Sequence, residues 1–300
     1  MTAPSSIQIS TTPKGITTIT INRPQRRNAV DPATARDLYN AFRRFEQDST
    51  QKVAILTGAG DTFCAGADLV ALTEQSEELT RQSQRADPSS DPQPKAGDIE
   101  SKSNADKSAY TYTRHLEPVA ERNIGPMGPS RLIVQKPVIA AIAGHAVAGG
   151  LELSLMADLR VVEEDAVLGI FCRRFGVPLI DGGTVRLQAI VGLGRALDMI
   201  LTGRPVSAHE ALTMGLANRV VPKGKALEEA VRLAESLLEF PNECMNVDRR
   251  SAYYAAFEAR GWRDALRYEF DNGRGVVERE GVKGAERFAR GKVGRHGSKL

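Results

Sequence analysis

The chain has 300 residues, of which 41% are hydrophobic and 26% are charged. A chain of this length forms one large domain or two small ones, and it buries enough core to fold without disulfides or a structural metal. The formal net charge of +3 and the 5% of aromatic residues argue against a nucleic-acid partner, because such proteins need a strongly basic face and stacking platforms.

Strand and helix patterns alternate along the first part of the chain. Residues 16–21 are rich in β-branched side chains, which predicts a strand. The segment 31–47 predicts a helix, with Asp31 as its cap and Pro32 in the first turn. The next predicted elements are strands at 53–57 and 137–142, a glycine-entered helix at 149–158 and a strand at 159–162. Because strands and helices alternate, the predicted fold class is α/β.

Residues 73–109 interrupt this pattern. They show little apolar periodicity, contain Pro88, Pro92 and Pro94, and have more acidic than basic side chains. We predict a flexible, solvated insertion here. The functional alternative is a lid over a binding site.

The C-terminal part is helical in pattern from Glu228 onward and becomes basic. Residues 274–300 carry eight basic and three acidic side chains, a local net charge of +5. This surplus suits a solvated helix face and a neighbouring phosphate-rich ligand equally well. Residues 1–222 are therefore predicted to form the core, and residues 223–300 a helical region.

The last three residues, Ser298, Lys299 and Leu300, match the peroxisomal targeting tripeptide. They predict recognition by a peroxisomal import receptor and a peroxisomal location, or a cytoplasmic one if the host lacks peroxisomes. No uncharged apolar run reaches the roughly 18 residues that a membrane span requires, so no membrane partner is expected.

The cysteines give no metal or disulfide pattern. Cys64, Cys172 and Cys244 are three in number, far apart and without CxxC spacing. A disulfide framework and a zinc site are both disfavoured, and a reducing compartment fits best.

Glycine-containing stretches hold the residues most suited to chemistry; they are 63–69, 143–153 and 175–184. Glycines before a helix let backbone N–H groups approach a ligand, and a helix N-terminus favours negative charge. Glu152, one turn into such a helix, would lie close to whatever binds there. Taken singly, the stretches also fit tight turns, with Glu152 as an ordinary N-terminal acid and Asp181 as a helix cap.

Together these stretches resemble the enoyl-CoA hydratase/isomerase family, also called the crotonase family. The matching pieces, in order, are 22–29, 64–69, 137–142, 149–152 and 181–184. The resemblance covers nearly the whole chain apart from the insertion and the last few residues. It implies a crotonase-like spiral of ββα units, acyl-CoA thioester substrates, and C-terminal helices that build a homotrimer or hexamer. It implies no metal and no cofactor besides the coenzyme A that the substrate itself carries.

The resemblance also implies site residues. Family members stabilise a thioester enolate with two backbone N–H groups, which by motif position would be those of Ala67 and Gly149. Glu152 falls on the first of two glutamates that act on water in the hydratase subgroup. Its carboxylate would take a proton from water as the oxygen attacks the β-carbon of a 2-enoyl-CoA.

The second glutamate of that pattern is replaced. It would lie twenty residues after Glu152, where this chain has Cys172. A thiol, with an ordinary pKa of about 8.5, is a poor substitute for a carboxylic acid, so Cys172 is expected only to line the pocket. Some relatives with other chemistries, such as dihydroxynaphthoyl-CoA synthases, carry a working aspartate at the position of Asp181. That residue is therefore expected to be a second acid–base group.

Coenzyme A would run over the first two motifs. Arg26 and Arg27 are candidates for its phosphates, and Lys292 in the basic C-terminal segment could reach its nucleotide. The backbone expected to contact adenine and pantetheine belongs to Ala65, Gly66, Ala67, Asp68 and Leu69. The resemblance favours hydration of trans-2-enoyl-CoA in peroxisomal acyl-CoA metabolism. The alternatives are a double-bond isomerase, a specialised enzyme of secondary metabolism and a weakly catalytic acyl-CoA-binding protein.

Overall fold

A computed structural model describes residues 5–71, 73–74 and 117–290 of the chain. The predicted insertion, apart from its first two residues, lies outside this described part. So do Lys292 and the tripeptide Ser298–Leu300, and the roles predicted for them stay predictions. Within the described ranges, no helix combines the length and hydrophobicity needed to cross a membrane.

Strands and helices alternate up to the last strand, and only helical elements follow it in the described part of the chain. The strands are β1 (Ile7–Thr11), β2 (Ile16–Ile21), β3 (Val53–Gly58), β4 (Val138–Ile142), β5 (His145–Val147), β6 (Leu159–Glu163), β7 (Val167–Gly169), β8 (Val206–Ser207) and β9 (Arg219–Val221). The α-helices are α1 (Pro32–Gln47), α2 (Gly149–Met156), α3 (Gly183–Val191), α4 (Leu193–Thr202), α5 (Ala208–Thr213), α6 (Ala226–Leu238), α7 (Asn242–Phe257), α8 (Trp262–Val276) and α9 (Val282–Ala289). The elements predicted over the first part of the chain correspond to β2, α1, β3, β4, α2 and β6, with ends shifted by two residues at most.

Two sheets organise the described chain. The larger has the order β1-β2-β3-β4-β6-β9, and its strands are parallel except for the antiparallel pair β1–β2. The smaller has the order β5-β7-β8. A parallel bridge between Cys64 and Ala146 ties the loop after β3 to β5. This bridge brings the loop next to the start of α2, which follows β5 directly.

The larger sheet is buried on both faces. On β3, Ala54 and Leu56 belong to the core that includes α1, whereas Val53 and Ile55 pack in a second core with residues of α6. A strand covered on both sides needs a continuous apolar run, as β3 has, because successive side chains point to opposite faces. The sheet is therefore a fixed platform for the loops at the ends of its parallel strands.

Helix α1 shows why the local prediction succeeded. The Asp31 carboxylate accepts a hydrogen bond of 2.7 Å from the Thr34 amide, and Pro32 occupies the first helical position, where its missing N–H costs nothing. Its core-facing side chains are Leu38, Phe42 and Phe45, all essentially inaccessible to solvent. Cap and apolar face together define this helix.

Candidate active site

The loop at Gly66 and the start of α2 touch, and only glycine permits this contact. Gly66 has φ +100°, and a Cβ placed on it would lie 2.9 Å from Ala148 Cβ and 3.1 Å from the Gly149 nitrogen. Both the left-handed backbone and the missing side chain are therefore required at this position. As a consequence, the segments that carry Ala67 and Gly149 lie side by side.

Two backbone donors are unoccupied at this contact. Among the described residues, neither the Ala67 nor the Gly149 N–H has a hydrogen-bond acceptor. The neighbouring amides are occupied, since Asp68 donates to the Val30 carbonyl and Ala148 to the Gly169 carbonyl, each at 2.9 Å. The Gly149 amide opens α2, so it also lies at the positive end of the helix dipole. Such a pair of free amides is suited to stabilising an oxyanion.

Glu152 lies one turn into α2 and is almost fully buried, at 3% exposure. Its Oε1 accepts hydrogen bonds of 2.9 Å from the amides of Asp181 and Gly183. Its Oε2 accepts none from the described residues. Burial, followed by the negative charge of Asp181, raises the pKa of Glu152 to about 7. The carboxyl is thus anchored by one oxygen and free to exchange a proton through the other near neutral pH.

Asp181 is also buried, at 3% exposure, and is held by a different segment. Its Oδ1 accepts a hydrogen bond of 2.9 Å from the Met127 amide and a very short one from the Ser130 hydroxyl. Burial raises the pKa of Asp181, although these two donors oppose the shift. The interpretation of Asp181 as a helix cap is wrong, because Gly182 is the N-cap of α3 and no side chain caps that helix.

Cys172 lies on a short 3-10 turn, Phe171–Phe175, and is buried. Burial raises the pKa of its thiol, and the nearby charge of Glu152 raises it further. The thiol is therefore protonated at neutral pH and lies close to the Glu152 carboxyl. Its predicted role, to line the pocket, is compatible with this position and stays a prediction.

The coenzyme A candidates occupy the turn after β2 and the loop after β3. Arg26 and Arg27 are both exposed on that turn. The Asp68 side chain is buried and paired with Arg23 at 3.0 Å, so it holds the loop together and leaves only backbone for a ligand. Leu69 beside it is 38% exposed.

Three residues around the acid pair were not predicted from the sequence: Met127, Ser130 and Arg186. Ser130 is 51 positions from Asp181, and no periodic pattern links them. The only available signal was the Gly-Pro-Met-Gly-Pro-Ser run at 125–130, in which Gly125 and Gly128 form a bridge. Such a run indicates a tight turn but does not say what the turn contacts.

In the described part of the chain, no three His, Cys, Asp or Glu side chains are placed to hold a metal ion.

Known proteins are similar to this chain in both sequence and fold. The family model for enoyl-CoA hydratase/isomerase matches residues 11–91 and 130–285. The enoyl-CoA hydratase EchA19 of Mycobacterium tuberculosis is 34% identical over 226 residues, which are 73% of this chain and 70% of that protein. An Arabidopsis thaliana protein named "Probable enoyl-CoA hydratase 1, peroxisomal" is 31% identical over 233 residues, covering 78% of this chain and 73% of its own.

The solved structures agree with the sequence matches. An enoyl-CoA hydratase of Mycobacterium tuberculosis H37Rv superposes with a TM-score of 0.74 at 28% identity, covering 95% of this chain and 96% of that one. The α/β fold and the family predicted from the glycine motifs are thereby confirmed. With its motifs in family order over a crotonase fold, the chain belongs to the enoyl-CoA hydratase/isomerase family.

Proposed function

We propose that this protein adds water to the double bond of trans-2-enoyl-CoA thioesters. The observation that carries the proposal is the state of Glu152, a buried carboxyl with one anchored oxygen, one free oxygen and a pKa raised to about 7. A general base works best when its pKa lies near the operating pH. Two unoccupied amides, those of Ala67 and Gly149, lie on the adjoining segments and suit an enolate oxygen.

The proposed reaction proceeds in two proton transfers. Glu152 Oε2 takes a proton from water while the water oxygen bonds to the β-carbon. The electron pair of the double bond moves toward the thioester oxygen, which the Ala67 and Gly149 amides stabilise by about 3–4 kcal/mol each. A proton then returns to the α-carbon, and the thioester re-forms as a 3-hydroxyacyl-CoA. No group beyond the coenzyme A of the substrate is needed.

Asp181 is the proposed second acid–base group. The backbone amide of Asp181 donates a hydrogen bond to the Glu152 carboxylate, so the two residues are neighbours. The pKa of the Asp181 carboxyl is raised, which keeps a proton available closer to neutral pH. Two buried carboxyls that repel each other's charge commonly divide acid and base roles. Cys172 is expected to line the pocket beside them.

The decisive experiment measures water addition. Purified full-length protein is incubated with crotonyl-CoA and a medium-chain trans-2-enoyl-CoA, and loss of the conjugated-thioester absorbance is followed with product mass. Glu152→Gln keeps an oxygen to accept both amide hydrogen bonds but cannot take a proton. We expect its turnover to fall by roughly 10²–10⁴-fold with nearly unchanged acyl-CoA binding.

Glu228→Gln is the matched control, because Glu228 is exposed and, among the described residues, its one ion pair is with Lys225 on the surface. It should retain wild-type turnover. Full turnover in Glu152→Gln would refute the proposed base.

A double-bond isomerase is the second candidate, and Cys172 is the observation that favours it. A protonated thiol replaces the second glutamate, whereas moving a proton between two carbons needs one base over the same amide pair. An isomerase would exchange solvent deuterium into the acyl chain and convert 3-enoyl-CoA without forming 3-hydroxyacyl-CoA. A protein that only binds acyl-CoA would show neither exchange nor hydration.

The same proposal covers coenzyme A binding. The exposed guanidinium groups of Arg26 and Arg27 are suited to its phosphates, and Lys292 is proposed to reach its nucleotide. The double variant Arg26→Ala/Arg27→Ala should raise KM for acyl-CoA while leaving kcat nearly unchanged. An unchanged KM would exclude this contact.

The proposed assembly is a homotrimer or hexamer. Trp262 and Phe270 of α8 lie on one helix face and are 77% and 64% exposed. Such apolar exposure supports a homotrimer or hexamer built through residues 223–300, which light scattering would test.

A peroxisomal location is supported by Ser298–Leu300 and by the peroxisomal relative from Arabidopsis thaliana. Loss of import after deletion of the tripeptide would test it.

A further inference from the structure

Arg186 of α3 is a neighbour of the acid pair and makes no ion pair with any residue that the structure describes. Its Nη1 donates to the Ser130 carbonyl at 2.6 Å and to the Asp181 carbonyl at 3.3 Å, and its Nη2 donates to the Leu132 carbonyl at 3.1 Å. In the part of the chain that the structure describes, no carboxylate lies within 4.0 Å of its guanidinium. Because these carbonyl groups are neutral, they do not cancel the charge of the half-buried guanidinium, which can act electrostatically on neighbouring carboxyls.

The turn around Gly182 lies directly against this guanidinium. A Cβ on Gly182, which has φ +88°, would lie 2.5 Å from Arg186 Nη1. Arg186 therefore joins two segments that also meet on the other side of the turn, where Ser130 and the Met127 amide hold the Asp181 carboxylate. One guanidinium and one carboxylate thus fasten the 127–132 segment to the entrance of α3.

We propose that Arg186 is a positioning residue that fixes the Asp181–Ser130 turn and, by its charge, favours the ionised forms of Glu152 and Asp181. The catalytic consequence rests on the proposed function, but the ionisation itself does not. Arg186 touches no reacting atom in this proposal. It acts through Ser130 and Asp181.

The electrostatics of the site support this role. The Arg186 cation lowers the pKa of both Glu152 and Asp181, against the larger effect of burial. The other charged or titratable groups around these three side chains, on all packed elements, are Arg131, Asp158, Arg160, Cys172, Arg249 and Tyr253. Of these, Asp158 is already engaged by Arg249 at 2.7 Å and by the Tyr253 hydroxyl at 2.8 Å. Arg131 also lowers the pKa of Asp181, and by more than Arg186 does. Arg186 differs from it in lowering the pKa of Glu152 as well.

A cavity of about 210 Å³ is lined in part by Arg186 and lies between α2, α3 and α7. Its wall includes Asp158, Arg160, Arg186 and Tyr253. An uncharged side chain of similar length at position 186, such as methionine, can therefore lie along the same wall without a steric clash. Substitutions there are expected to test charge and hydrogen bonding more than packing.

The test uses full-length protein labelled with ¹³C at glutamate carboxyls, with Glu152→Gln to assign the resonance. In Arg186→Met we expect the Glu152 titration midpoint to rise by roughly 0.5–1 unit, because a nearby cation favours the ionised form. Arg186→Lys should keep the midpoint, since it retains the charge. It should still lower kcat, because an ammonium group cannot hold three carbonyls as a planar fork does.

Arg195→Met is the matched control, since Arg195 likewise donates to a backbone carbonyl, that of Met214 at 3.1 Å, but on the next helix. It should leave the midpoint unchanged. A wild-type midpoint in folded Arg186→Met would overturn the proposal and leave Arg186 a structural tie. If Arg186→Met does not fold, Arg186→Gln decides, because its amide keeps a donor for the carbonyl groups but carries no charge. The proposal requires the Glu152 midpoint to rise in this variant, and an unchanged midpoint would overturn it.

The midpoint is independent of turnover, so the two proposals fail separately. If wild-type protein converts neither 2-enoyl-CoA nor 3-enoyl-CoA, the proposed function fails while the titration still judges Arg186. If turnover occurs, the acidic limb of the kcat/KM profile should move with the midpoint in Arg186→Met. If the acidic limb does not move, the carboxyl whose titration is observed is not the group that controls turnover.

Discussion

Gly183 offers a direct test of how Glu152 is seated. It is the first residue of α3, its amide donates to Glu152 Oε1 at 2.9 Å, and its φ is not in the left-handed region. A Cβ at this position would lie 2.8 Å from Glu152 Oε1, 2.9 Å from its Cγ and 3.1 Å from its Cδ. In Gly183→Ala the whole carboxyl end must therefore move by several tenths of an ångström.

The expected effects on stability and activity differ in size. Alanine is favoured over glycine in a helix by up to about 1 kcal/mol, which offsets part of the local strain, so the free energy of unfolding should change by less than about 1 kcal/mol. A catalytic group displaced by about 1 Å can cost 10²-fold in rate. Because the shift here is only several tenths of an ångström, we expect kcat for enoyl-CoA hydration to fall about tenfold.

Gly194 provides the matched control. It lies in the first turn of α4, and a Cβ there would meet nothing within 4 Å. Gly194→Ala should keep full activity and show equal or higher thermal stability. The assay is the initial rate of hydration beside a thermal melt of each variant. Wild-type kcat in Gly183→Ala would refute the anchoring of Glu152 as the determinant of its catalytic position.

Three further predictions concern the same site. Because the pKa of Glu152 is raised to about 7 and the base must be ionised, kcat/KM should fall about tenfold per pH unit below that value; a flat profile from pH 5 to 8 would contradict it. The folded state binds the Glu152 proton more tightly than the unfolded state, so wild-type stability is lost as pH rises from the ordinary glutamate pKa of 4.5 to about 7. Glu152→Gln should accordingly be more stable than wild type at pH 8, by at most about 3 kcal/mol, but not at pH 4; equal chemical-denaturation curves at pH 8 would contradict it. Gly66→Ala imposes φ +100° on alanine and a 2.9 Å contact with Ala148 Cβ. It should cost about 1–3 kcal/mol of unfolding free energy and most of the turnover, and an unaltered melting temperature would disagree.

Local patterns predicted what local interactions determine. Strand β3 and helix α1 were predictable because their apolar residues follow the periods of a doubly buried strand and an amphipathic helix. The glycine entries at Gly66 and Gly149 were predictable because glycine is the residue that lets a backbone come so close. Glu152 followed from its place one turn into that helix, through resemblance to known enzymes.

Contacts between distant segments were not predictable. The Ser130 hydroxyl reaches Asp181 across 51 positions, and the sequence around it has no periodicity that specifies a partner. The capping role of Asp181 was wrong for the same reason. Its carboxylate accepts hydrogen bonds from Ser130 and Met127 and does not cap the end of the helix. The pairing of Arg23 with Asp68 likewise depends on how two loops meet.

The backbone at Ala148 sets a limit on how far this protein can be stabilised without losing function. Ala148 has φ +53° and ψ −128°, and it directly precedes the free Gly149 amide. Such a conformation costs a non-glycine residue of the order of 1–3 kcal/mol. Glycine would relieve the strain but would let the peptide unit that carries this donor rotate. Directed evolution for heat resistance alone would therefore favour glycine at 148, and the selected variants would be more stable proteins in which the Gly149 amide is held less rigidly.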